Sequence, residues 1–167
     1  MINLVLVSPE MPANVGNIMR TAVAVDAFLH IVGPTVLKLT ESDLKRAGLD
    51  YINKLSYKVY ESYAEFIKLN APKHLYFISR YGKKRYDEVT YPPINENVFL
   101  VFGNESKGLP QELYTTQKET LIRIPMVINV RSLNLSNAVA IVTYEVLRQR
   151  GFPNLATFEV IKGDQPV

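Results

Sequence analysis

Three stretches carry residue types suited to chemistry rather than to a core: Pro9-Glu-Met-Pro-Ala-Asn-Val-Gly-Asn-Ile-Met-Arg20, Phe102-Gly-Asn-Glu-Ser-Lys-Gly-Leu-Pro110 and Ile124-Pro-Met-Val-Ile-Asn-Val-Arg-Ser-Leu-Asn-Leu-Ser-Asn137. The middle one has the G-x-x-x-x-G spacing of a phosphate-binding loop between Gly103 and Gly108. However, Leu109 and Pro110 stand where that loop needs Lys and Ser or Thr. A G-x-G-x-x-G dinucleotide fingerprint and a G-x-S-x-G nucleophile elbow are both missing. There remains a glycine-bounded loop with one carboxylate, Glu105, beside a loop rich in Ser and Asn. Such loops offer backbone groups to a small polar ligand, with glycine allowing close approach. Gly103 and Gly108 on their own suit a plain tight turn before a helix equally well. Arg20, beside Asn14 and Asn17, reads either as a solvated flank with a snorkelling stem or as a functional cation. Ser136 or Asn134 can cap the helix that follows, and capping suits Ser136 or Asn137, whereas Ser132 and Asn134 precede the helix by too much for both to be caps and are free to bind. Arg80-Tyr-Gly-Lys-Lys-Arg85 places Arg80, Lys83, Lys84 and Arg85 around an aromatic. It is a solvated loop if it stands alone and an RNA-backbone contact beside the other motifs.

The elements that must position these residues are readable from apolar patterning. Short β-branched runs at Ile2–Val7, Leu29–Val32, Lys58–Tyr60, Leu75–Ser79, Val98–Gly103 and Leu121–Ile124 alternate with helical segments, which predicts an α/β protein with a mostly parallel sheet flanked by helices. Several runs are apolar on both faces, as strands covered from both sides must be. Val15, Ile18, Met19, Ala22 and Val23 form one helical stripe after the first strand, with Arg20 beside it. A long helix is predicted from near Ser136 to about Arg150, ended by Gly151 and Phe152-Pro153. Shorter ones are predicted at Glu41–Ala47, Tyr63–Leu69 and Gln111–Thr116. Each chemical stretch follows a strand, and ligands of open α/β sheets bind beyond the carboxyl ends of strands. The three therefore point to one site.

Composition bounds the rest. The chain of 167 residues predicts a single domain, residues 1–155, with a tail at 156–167. Without cysteine there is no disulfide, thiolate nucleophile or zinc-thiolate site, and with only His30 and His74 no His-rich metal site. No metal is expected, and the reading is of a cytoplasmic protein. Met1–Val7 is too short for a membrane span or a signal peptide. The net charge of +3 permits an anionic partner without identifying one.

Taken together, the three stretches resemble the motifs of the SPOUT superfamily of S-adenosylmethionine-dependent RNA methyltransferases. The resemblance runs from Asn3 to Pro153 and is closest to the small tRNA (cytidine/uridine-34)-2′-O-methyltransferases. It is carried jointly by Pro9-Glu10…Asn14-x-Gly-Asn-Ile-x-Arg20, Arg46-Ala-Gly-Leu-Asp-Tyr51, Ile122-Arg-Ile-Pro-Met126 and Arg131-Ser-Leu-Asn-Leu-Ser-Asn-Ala138 leading into Tyr144-Glu145. The middle motif commonly reads Gly-Pro-Glu in those enzymes, whereas Asn104 follows Gly103 here.

That resemblance implies a Rossmann-like sheet with a C-terminal deep trefoil knot, and a homodimer with its active site at the interface. It implies S-adenosylmethionine held by Ile78, Gly103, Ile124, Ser132 and Leu133, with Arg20, Asn14, Glu105 and Asn134 around the methyl transfer. The implied partner is the anticodon loop of tRNA, contacted by Arg20, Arg80, Lys83, Lys84 and Arg85, and the implied reaction is 2′-O-methylation of the wobble ribose. The alternatives are another tRNA or rRNA position, or a non-catalytic RNA-binding homologue.

Overall fold

The computed structural model describes residues 1–35 and 54–158. The expected helix at Glu41–Ala47 and the Arg46–Tyr51 motif lie outside them. In chain order the elements are β1 (Ile2–Val7), α1 (Pro12–Ala24), β2 (Phe28–Val32), β3 (Tyr57–Tyr60), α2 (Tyr63–Asn70), β4 (Leu75–Ile78), β5 (Lys84–Arg85), β6 (Val98–Phe102), α3 (Gln111–Thr116), a 3-10 turn (Lys118–Thr120), β7 (Leu121–Arg123) and α4 (Leu135–Gln149). The seven strands form one sheet in the order β3-β2-β1-β6-β4-β7-β5, and every pairing is parallel.

Alternation along the buried strands sends side chains to two cores. Leu4 and Leu6 of β1, with Leu100 and Phe102 of β6, pack under α1 and α4. Val5, Val7, Phe99 and Val101 face Phe66 of α2 and Leu113 of α3. The expected two-sided covering is thus present. The α1 stripe is buried at Val15, Ile18, Met19 and Ala22, while Val23 is half-buried and Arg20 exposed. Helix α4 ends as its sequence predicts: Gly151 takes φ +73°, and the Phe152 N–H donates to the Leu147 carbonyl at 2.9 Å.

Two features escaped the strand pattern. β5 lies in the basic Arg80–Arg85 segment, which reads as a loop because its residues are charged rather than apolar. The other is the strand order. β7, late in the chain, is inserted between β4 and β5, which are joined by residues 79–83 alone. Ile78 and Lys84 both pair with Ile122, so this short link crosses one face of β7 at Ile122. The crossing is close enough that a Cβ on Gly82 would lie 2.5 Å from the Ile122 carbonyl carbon, so only glycine fits.

A buried polar group sits on the α2 side. Asn3 Nδ2 donates to the Val98 carbonyl at 3.2 Å, which turns its Oδ1 toward His30 Nε2 at 3.1 Å. The imidazole is therefore protonated at Nε2 and accepts from the Tyr60 hydroxyl at Nδ1, 2.8 Å away. In this neutral form both ring nitrogens are satisfied. Burial pushes the imidazole down to about 4, and the Lys58 charge acts in the same direction. The unfolded chain binds a proton below about pH 6.5 that the folded chain refuses until about 4, so this stability is whole above 6.5 and lost as pH falls. Wild type should lose about 2 kcal/mol more than His30→Gln between pH 7 and pH 5. Urea midpoints at the two pH values check this, and parallel losses in both proteins would contradict it.

Candidate active site

Because all seven strands are parallel, their carboxyl ends share one edge. The neighbouring strands β1, β6, β4 and β7 raise their following loops side by side there. The loops surround a cavity of about 410 Å³. Ile78, Gly103, Ile124, Ser132 and Leu133, the five residues expected to hold a cofactor, all line it, as do Asn14, Glu105, Asn134 and Arg80. Arg20, Lys83, Lys84 and Arg85 do not. Tyr81, the aromatic of the basic segment, also lines the cavity, as do Leu135 and Ala138, for which the sequence suggests no site role. The apolar character of these last two reads equally well as core, so no local signal marks them.

Glu105 joins two of the stretches. Its Oε2 accepts from the Glu10 backbone N–H at 2.8 Å, and its Oε1 from the Met11 N–H at 3.1 Å and Asn14 Nδ2 at 2.9 Å. Met11 is the N-cap of α1 and its own side chain makes no capping bond. The carboxylate from the β6 loop therefore caps that helix and lies at its positive end. Asn14, buried at 3% exposure, passes the connection on, since its Oδ1 accepts from Asn134 Nδ2 at 2.9 Å. Asn134 Oδ1 in turn accepts from the Ser136 N–H at 2.9 Å and Ser136 Oγ at 2.7 Å. Of the residues offered as the cap of α4, Ser136, Asn137 and Asn134, it is Asn134 that caps, and the Ser136 hydroxyl braces the cap. Asn134 spends its oxygen on the helix and one N–H on Asn14, which leaves the other N–H for a ligand in the cavity it lines.

The direction of these bonds makes Glu105 difficult to replace. A glutamine there offers one acceptor oxygen where three donors converge, and its NH₂ must face a donor. Glu105→Gln should cost about 1–3 kcal/mol and lower turnover through misplacement of Asn14. Paired urea and activity measurements check this, and full activity with wild-type stability would contradict it.

The loop itself is closed by backbone bonds from Asn104 N to Gly108 O at 3.1 Å and from Gly108 N to Asn104 O at 3.0 Å. Asn104 Oδ1 also accepts from the Lys107 and Gly108 N–H groups at 2.7 and 3.1 Å. The asparagine that replaces the commoner proline therefore supplies a backbone donor and a side-chain acceptor that proline lacks. Gly108 takes φ +74°, the conformation for which glycine is suited.

The cationic residues divide. Arg20 projects from the exposed side of α1, six residues past Asn14 and roughly 9 Å along the axis. Arg80 Nη2 donates to the Tyr81 hydroxyl at 2.7 Å and its guanidinium lies 4.8 Å from that ring's centre. Arg85 forms a fork to Asp87 at 3.0 and 2.8 Å and approaches Glu88 at 3.5 Å, which raises its pKa further, and much of its charge is neutralised. Among the described residues no group of three or more His, Asp or Glu is placed to hold a metal ion, and no helix is long and apolar enough to cross a membrane.

The cavity fits S-adenosylmethionine on its own evidence. It has the size of a small-molecule site, apolar walls from Ile78, Ile124 and Leu133, and backbone exposed by Gly103 and the Ser132 loop. A parallel α/β sheet with such a cavity where its strand order reverses defines a protein of the nucleotide-cofactor-binding class.

Within that class the chain belongs to the SpoU rRNA Methylase family, whose model matches residues 1–144. A tRNA (cytidine(34)-2′-O)-methyltransferase of Saccharophagus degradans is 43% identical over 154 residues, covering 91% of this chain and 97% of the relative. A solved structure concerned with 2-OH methylation of C/U34 on tRNA superposes with TM-score 0.81 at 38% identity, covering 89% of this chain and 95% of that one. An AdoMet-bound rRNA methyltransferase from Sinorhizobium meliloti superposes with TM-score 0.76 at 29% identity, over 88% of this chain and 56% of that one.

Proposed function

We propose that this protein transfers a methyl group from S-adenosylmethionine to the ribose 2′-hydroxyl of nucleotide 34, cytidine or uridine, in tRNA. The observation that carries the reading is the convergence of Ile78, Gly103, Ile124, Ser132 and Leu133 on one cavity beside the Glu105-Asn14-Asn134 relay. The relatives named for that reaction support it at 38–43% identity over more than nine-tenths of the chain.

S-adenosylmethionine, when bound, supplies a methyl group already activated on a sulfonium. The protein has to hold the ribose oxygen in line and stabilise the charge that builds on it as its proton departs. Asn134 is held rigid by Asn14 on one side and Ser136 on the other, so its remaining N–H serves as a fixed donor. Glu105 is a positioning residue, because its oxygens are committed to Glu10, Met11 and Asn14. A guanidinium donates and does not take up a proton, so Arg20 is assigned to charge stabilisation and to the grip on an adjacent phosphate.

Arg20 lines no part of the cavity of its own chain, and we place it over the cavity of a second copy in a homodimer. The link over Ile122 belongs to the same reading, with the chain after β7 threaded through it as a trefoil. A cytoplasmic protein and a single domain over residues 1–155 complete it. Calorimetry with S-adenosylmethionine followed by turnover with and without tRNA tests the proposal. Binding together with tRNA-dependent turnover is expected. Binding of tRNA without binding of the cofactor would favour a non-catalytic RNA-binding homologue.

A further inference from the structure

Next to the cofactor cavity lies a second hollow of about 270 Å³, which shares Arg80, Tyr81 and Met126 with it. Its other cationic walls are Arg123, at the end of β7, and Arg131, in the loop that leads to Ser132. No Asp or Glu lines it. Among the described residues neither Arg123 nor Arg131 pairs with a carboxylate, in contrast to Arg85 with Asp87 and Glu88 and to Arg148 with Glu145. Arg123 and Arg131 line one hollow with no carboxylate between them and repel one another, and an anion entering it relieves that repulsion. Tyr81, 59% exposed, stands on the same wall and presents an aromatic surface beside the charge. Loop 124–134 turns through the left-handed backbone of Asn129, φ +74°, and bears Arg131 one residue before Ser132 of the cofactor cavity.

We infer that this hollow is an RNA phosphodiester site, in which Arg123 and Arg131 grip the backbone flanking the nucleotide presented to the cofactor cavity. The inference rests on the tRNA-methyltransferase reading and locates the backbone grip beside the transferred group, on residues far apart in sequence. An anion in the shared corner could also be the cofactor's own carboxylate, and the test separates the two.

Binding of tRNA is measured against salt for wild type, Arg131→Gln and Arg123→Gln/Arg131→Gln, with calorimetry of S-adenosylmethionine on each. A single-strand phosphate contact contributes about 0.7 to the slope of log affinity against log salt, so the slope should fall by about 0.7 and about 1.4 respectively. Affinity for tRNA in the double variant should fall at least ~10-fold near 0.1 M salt. The KM for tRNA should rise with it, and the affinity for S-adenosylmethionine should hold. Arg131 is exposed in a loop, so the single variant keeps the test valid if the substitution in β7 impairs folding. Three results would overturn the inference: unchanged slope in both variants, a slope lost instead in Lys83→Gln/Lys84→Gln, or loss of cofactor affinity in step with loss of tRNA affinity. Wild type that methylates tRNA while the variants bind it unchanged defeats the phosphate site alone. Wild type that leaves tRNA unmethylated defeats both readings.

Discussion

Gly103→Ala should abolish detectable S-adenosylmethionine binding and destabilise the fold by at least ~3 kcal/mol. A Cβ at this position would lie 2.0 Å from the Gly108 carbonyl carbon, 2.1 Å from the Leu109 nitrogen and 2.3 Å from the Gly108 oxygen. All three are backbone atoms, so no side chain can rotate away, and the loop would have to open. Opening it breaks the paired bonds between Asn104 and Gly108. It also carries away Glu105, which caps α1 and holds Asn14. One methyl group therefore disturbs the cavity wall and the relay together. Calorimetry and urea unfolding of the variant check this, and wild-type cofactor affinity would contradict it.

Arg20→Lys should lower kcat by about 10²–10³-fold and leave cofactor affinity within about twofold of wild type. Lysine keeps the charge but loses the planar fork that can hold an oxygen and a neighbouring phosphate at once. Arg20 is absent from the lining of its own chain's cavity, so the cofactor should not register the change. Single-turnover kinetics with tRNA, beside calorimetry of S-adenosylmethionine, separate the two effects. Normal turnover would contradict the assigned role.

The parts of this molecule written in local periodicity are legible in the sequence. The stripe from Val15 to Ala22 buries as its spacing requires, and Gly151 closes α4 with the expected left-handed turn. Six of the seven strands lie within a residue or so of the bounds their sequence predicts, whereas β5 falls in the charged Arg80–Arg85 segment and carries no apolar signal. The insertion of β7 between β4 and β5 was not legible from periodicity, since strand order is set by packing of the whole chain; only the family resemblance pointed there.

Capping shows the same limit. Nothing near Met11 announces how α1 begins, because its cap is supplied by Glu105, 94 residues away in sequence. The sequence offers Asn134 either as a helix cap or as a site residue. Its double use as the α4 cap and the partner of Asn14 emerges only when residues 120 apart come together. Charge was the least legible property. The run Arg80–Arg85 looks like one cluster on paper, yet Arg85 is neutralised by its neighbours and Arg80 faces the cavity. Its companions across the adjoining hollow, Arg123 and Arg131, are scattered in the sequence.

The central claim is the reaction and its position. Wild-type protein incubated with methyl-labelled S-adenosylmethionine and total tRNA, followed by mapping of the labelled nucleotide, tests it directly. The account predicts label on the ribose 2′-oxygen of cytidine or uridine at position 34. Label on a base, or none in tRNA, would contradict it.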